Sequence, residues 1–169
     1  MTEPQWLSRE DVEELQAIAI EKDGGLTGGL TKPDLLDSAL ARPQNEYAYA
    51  EERDTFKLAA AYAEGIAQNH AFADANKRTA LLATATFLMD NGFELQKAKG
   101  REHADMMVQL TDKKITRDQA ATHLREHSRQ IEQERSTGEL GKKDWTKKPT
   151  PSKTLKKAPT PKRDNDRER

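Results

Sequence analysis

From Ser8 to Ile131 apolar residues return at three- and four-residue intervals in one segment after another, and most segments carry a helix start or stop at the place the period requires. Ser8 with Asp11 three residues on resembles a capping box, after which Val12, Leu15, Ile18 and Ala19 fall on one face until KDGGLTGG stops the helix. Pro33 suits the first turn of a second helix, with Leu35, Leu36, Ala39 and Leu40 turned inward and an expected end where Arg42 meets Pro43. A third helix is expected over 54–69 on Phe56, Ala59, Ala60, Ala63, Ile66 and Ala67, and a fourth from about Asn76 to a left-handed end at Asn91-Gly92. Met106, Met107 and Leu110 suggest a fifth. The sixth opens at Thr116, which forms a second capping box with Gln119, and carries Ala120, Leu124 and Ile131. Only short pieces such as GFELQ read as strand. The expected fold is all-α, a compact helical bundle.

The chain has 169 residues, 34% hydrophobic and 34% charged, which is room for one domain of ordinary size and a tail. From Ser136 onward there are eleven basic residues against five acidic, a balance of +6, whereas the remainder has 17 against 24, a balance of -7. The tail repeats itself, KKPTPSK from Lys147 returning as KKAPTPK from Lys156, and proline with like charge at this density cannot bury enough surface to offset the entropy of ordering. We read residues 1–135 as the domain and 136–169 as a disordered basic tail, solubilising or weakly attracted to nucleic acid or the ribosome through charge alone; Trp145 is its single aromatic. No apolar run approaches the ~20 residues that span a bilayer, and MTEPQWLSRED has no basic-then-apolar leader, so a cytoplasmic protein without a membrane is expected. The absence of cysteine excludes disulfides, thiol nucleophiles and cysteine-zinc sites. His123 and His127 stand four residues apart without a third ligand near them in sequence, a pattern that reads as a solvated helix face rather than a zinc site.

GGLTGGL lacks the strand, the glycine spacing and the Lys-Ser/Thr pair of a phosphate loop, and reads as a helix stop and turn. NHAFADANKRTA is different. A tight loop after the third helix feeds the N-terminus of an apolar one, LLATATFLM, where unpaired N–H groups and the helix dipole favour an anion. Lys77 and Arg78 in that first turn oppose helix stability, so a bound negative group is expected there. Asp74 beside this basic pair suits a Mg²⁺ ion shared with phosphate oxygens, and His70 is the one side chain in the loop that exchanges a proton near neutral pH. Base, metal ligand and anion cradle within the nine residues 70–78 describe transfer of a phosphorus group from a nucleotide to a hydroxyl. Each residue also has a bland reading: His70 at a helix end, Asp74 or Asn76 as a cap, Lys77 and Arg78 as a solvated pair, and Phe72 as core that pins the loop.

His70-Ala71-Phe72-Ala73-Asp74-Ala75-Asn76-Lys77-Arg78 resembles the His-x-Phe-x-Asp/Glu-Gly/Ala-Asn-x-Arg signature of the Fic/Doc (Fido) superfamily. Most Fic proteins have glycine where Lys77 stands, and the Doc branch of "death on curing" toxins has Asn-Lys-Arg. GGLTGGLTKPDLLDSALARPQNEYAYAE and DNGFEL extend the likeness, over roughly residues 8–130. The resemblance implies a Fido-type bundle with a short flap over about 41–52, His70 as general base, Asp74 as Mg²⁺ ligand, Asn76 orienting the loop and contacting phosphate, and Arg78 holding phosphate oxygens. It further implies that Lys77 goes with γ-phosphate transfer from ATP, in place of the AMP transfer of ordinary Fic proteins, onto a threonine of elongation factor Tu, and that a Phd-like antitoxin is the partner. An AMP transferase and a nucleotide- or nucleic-acid-binding protein without chemistry are the other readings. Ser128 to Gln133 comes close to the inhibitory helix pattern of some Fic proteins but ends in glutamine.

Overall fold

Two capping boxes open helices where the sequence places them. In the computed structural model, which describes residues 2–131, Ser8 Oγ accepts from the Asp11 N–H at 3.1 Å and Asp11 Oδ2 accepts from the Ser8 N–H at 2.9 Å, starting α1 (Arg9–Asp23). Thr116 and Gln119 exchange the same pair of bonds at the start of α6 (Arg117–Glu126). Between them lie α2 (Pro33–Tyr49), α3 (Thr55–Asn69), α4 (Asn76–Asp90), the short strand β1 (Phe93–Leu95) and α5 (Glu102–Thr111), with β2 (Ser128–Gln130) after α6. The all-α class holds, and the only sheet among the described residues is β1 paired antiparallel with β2, Glu94 opposite Arg129. No described helix is long and apolar enough to cross a membrane.

The core is built around α3. Its N-cap Asp54 accepts from the Phe56 N–H at 2.9 Å and pairs with Arg125 of α6, and its residues from Leu58 to Ala63 are all fully buried. So many small side chains let α2, α4, α5 and α6 all pack closely against it. Trp6, ahead of α1, stacks on Phe87 and meets Tyr47 edge-on, while the Leu7 N–H donates to the Tyr62 hydroxyl at 3.1 Å. Burial pushes that hydroxyl up to about 12, so it stays protonated at every physiological pH.

Three expectations are corrected. The second helix does not end at Pro43 but continues to Tyr49, so most of the flap expected over 41–52 is helix and only residues 50–54 link α2 to α3. Pro43 is tolerated there because its ring is buried and because ion pairs on either side of it, Arg42 with Glu64 and Glu46 with Arg117, anchor the helix to α3 and α6. Leu35 is exposed rather than turned inward. Ile131 is not on the last helix, which ends at Glu126; beyond β2 its N–H donates to the Gly92 carbonyl at 2.9 Å, and the described start of the Ser128–Gln133 pattern is strand, not helix. The end of α4 is as expected, with Gly92 at φ +98°. The basic tail over 136–169 lies outside the described residues.

Candidate active site

α3 ends on His70, which takes the left-handed conformation (φ +52°) and turns the chain back toward α1. Its side chain is exposed. Two residues on, Phe72 is only 3% exposed and held from both sides. The Asn76 amide closes a ring with the Phe72 backbone, Oδ1 accepting its N–H and Nδ2 donating to its carbonyl, each at 3.1 Å. On the other side the glycine-rich segment after α1 pairs with the loop: Leu30 bridges Phe72, the Ala73 N–H donates to the Gly29 carbonyl at 2.9 Å, and the Thr31 and Lys32 N–H groups share the Ala71 carbonyl. The loop is therefore rigid although it contains no regular structure. Ala75 then adopts φ +67°, and α4 begins with no capping side chain, the open helix start that the sequence suggested.

Asp74 is half-buried and both of its carboxylate oxygens are engaged, Oδ2 by the Leu26 N–H at 3.0 Å and Oδ1 by the Ala75 N–H at 2.7 Å. These two bonds, Leu26 first, hold its carboxyl below the usual carboxylate range against the opposing effect of burial, and the charge of Arg78 adds a smaller pull in the same direction as the bonds. Buried Gln16 of α1 donates to the Asp74 carbonyl at 3.2 Å. Arg78 Nη1 donates to the carbonyls of Ala19 and Gly24 at 3.1 and 2.8 Å. The cation that looked misplaced at the start of α4 thus sits at the carbonyl end of α1, where a positive charge is favourable, so a bound anion is not needed to explain it. Lys77 has no such partner: it and His70 are exposed and make no side-chain hydrogen bond or ion pair among the described residues. A cleft of about 390 Å³ opens beside the loop, lined by Glu13, Gln16, Ile20, Thr27, Leu30 and Phe72 among others.

All six residues singled out by the motif come together on this one loop and helix start. Gln16 and Leu26 were missed: the GGLTGG segment reads as a helix stop, and a backbone N–H aimed at a carboxylate leaves no mark in residue type. Among the described residues no cluster of three or more His, Cys, Asp or Glu side chains could hold a metal on its own. A single ionised carboxylate beside a cationic loop fits Mg²⁺ bound jointly with phosphate oxygens, rather than an ion in a protein cage.

Away from the site, the solvated-face reading of His123 and His127 is corrected. Buried His103 of α5 donates from Nε2 to the Gln96 carbonyl at 2.8 Å, and its Nδ1 lies 3.0 Å from His123 Nε2, while His127 stacks on His123 with ring centres 4.1 Å apart. His103 and His123 stand 20 positions apart, which hid the cluster from a search of sequence spacing.

The sequence matches the Fic/DOC family over residues 6–88. It is similar to the protein named Protein kinase doc from Escherichia phage P1, 35% identical over 119 residues that make up 70% of this chain and 92% of that relative. It is also similar to the protein named Toxin Doc from Mycolicibacterium smegmatis, 38% identical over 126 residues, 73% of this chain and 92% of the relative.

Proposed function

The chain belongs to the Fic/DOC family, and from that premise we propose that it is a Doc-type toxin, a protein kinase that moves the γ-phosphate of ATP onto a hydroxyl of a translation protein. The observation that carries the reading is the joint presentation, on one hydrogen-bonded loop, of exposed His70, ionised Asp74 and exposed Lys77 at the uncapped start of α4. In the proposed reaction His70 takes the proton of the target hydroxyl as its oxygen bonds to the γ-phosphorus, the bond from that phosphorus to the bridging oxygen breaks, and ADP leaves. Asn76 keeps the loop closed on Phe72, and the N–H groups at the start of α4 face the phosphates. Lys77 supplies a mobile point charge where a glycine would leave room for phosphate to approach backbone. Arg78 meets phosphate with the part of its guanidinium that its two carbonyl partners leave free. Mg²⁺, when bound at Asp74 with the nucleotide, neutralises phosphate charge.

Two named relatives, one a kinase and one a toxin, support the same class. We further propose a threonine of elongation factor Tu as the acceptor and a Phd-like antitoxin as the partner that silences the enzyme. A cell-free translation extract tests the reading. Added protein should stop synthesis and the His70→Ala variant should not; arrest by both proteins alike would reject an enzymatic toxin.

A further inference from the structure

The carboxylate of Asp74 and the guanidinium of Arg78 do not meet through a direct salt bridge. Both instead converge on the turn after α1. The Gly24 carbonyl accepts from Arg78 Nη1 at 2.8 Å, the Leu26 N–H donates to Asp74 Oδ2 at 3.0 Å, and Gly25 stands between these two contacts. Gly25 has φ +143°, a conformation that side chains rarely adopt. A Cβ built on it would lie 2.6 Å from Ile20 Cδ1, 2.8 Å from Asp74 Oδ2 and 3.1 Å from Arg78 Nη2. Two functional groups of opposite charge therefore share the space that one absent side chain leaves open.

We propose that Gly25 is a positioning residue of this site, setting where the Asp74 carboxylate and the Arg78 guanidinium stand relative to each other. The inference rests on the reading of Asp74 as the ligand of a nucleotide-bound Mg²⁺. The three atoms nearest to an added methyl group all belong to side chains, not backbone. At φ +143° the methyl strains the turn itself as well as crowding Asp74 Oδ2 and Arg78 Nη2, and either shift moves Oδ2 relative to the Leu26 N–H. An ordinary structural glycine at a helix end has no such link to the chemistry. Gly29 provides the comparison: its φ is also positive, +68°, but nothing lies within 4 Å of the Cβ it would carry.

The test uses the full chain carrying His70→Ala, so that bound ATP is not consumed, and titration calorimetry with ATP in excess Mg²⁺ and again in EDTA. The ratio of the two dissociation constants isolates what the cation contributes. Asp74→Asn should bring that ratio close to one. Gly25→Ala should reduce it about tenfold, the scale of losing a group that orients a metal ligand, whereas Gly29→Ala should keep the parent ratio. Should Gly25→Ala fail to fold, the pair Ile20→Val and Gly25→Ala, which removes the closest contact, takes its place. A parent-like ratio in Gly25→Ala, or an equal fall in Gly29→Ala, overturns the positioning role and leaves Asp74 as the cation's ligand. A parent-like ratio in Asp74→Asn overturns that assignment and this inference with it.

Discussion

Asn76 joins the loop to the helix that follows it more than any other single residue, through two hydrogen bonds to the backbone of Phe72. Removing both partners in Asn76→Ala should cost roughly 1–3 kcal/mol, since a partly buried N–H and carbonyl lose their matches. Thermal denaturation reads that cost, and phosphate transfer should fall much further than stability because His70 and Asp74 stand on either side of the bond. Lys77→Gly should act the other way round. A glycine in the first turn costs a helix under about 1 kcal/mol and removing a cation from that end returns part of it, so the melting temperature should hardly move while γ-phosphate transfer is lost. An undiminished γ-transfer rate in Lys77→Gly would remove the reason for placing this chain on the kinase side of the family. At this scale the sequence was readable where chemistry is written in contiguous side chains, His70 to Arg78. It was silent on the carbonyls that hold Arg78 and on the Leu26 N–H that holds Asp74, because any residue could supply them.

Elements were readable wherever the capping chemistry is local, as at Ser8 and Thr116, and misread where distant contacts decide. Pro43 is the clear case, since Arg117 and Glu64, which anchor the helix around it, lie far away in sequence. The histidine cluster is the other. It ties α5 and α6 to the chain leaving β1, and the Gln96 carbonyl fixes His103 with its proton on Nε2, so that neutral His103 Nδ1 accepts from His123 Nε2. Protonating both rings would set two N–H groups against each other. Burial first, then the neighbouring charges of His127 and His103, depress the pKa of His123, against the opposing pull of Glu126 and Glu102. The fold thus favours neutral His123: its contribution is whole above the ordinary value of 6.5 and is lost as pH falls below it. Melting temperatures measured from pH 8 down to pH 5 should show this acid step, and His123→Gln, which keeps a donor for His103, should flatten it. An acid step of unchanged size in His123→Gln would place its origin elsewhere.

At the scale of the molecule, the described residues bury a hydrophobic core of their own around α3. A protein ending at residue 135 should therefore melt where the full chain does, and should transfer phosphate at the same rate to a target that the tail does not touch. The tail's balance of +6 against -7 for the remainder is enough for salt-sensitive attachment to nucleic acid, which filter binding at increasing salt would show for the full chain and not for the shortened one. Fold class was legible at this scale because helical periods fill the body and tail composition differs sharply from it; the target was not, because no contact with it is encoded in any local pattern. Everything proposed for the site turns on γ-phosphate transfer by the loop that starts at His70. Purified protein incubated with Mg²⁺, elongation factor Tu and ATP labelled on either the α- or the γ-phosphate tests it, with His70→Ala alongside. The expected result is γ-label on the target and none from the His70→Ala protein; α-label on the target, or γ-label that survives in His70→Ala, would contradict kinase chemistry at His70.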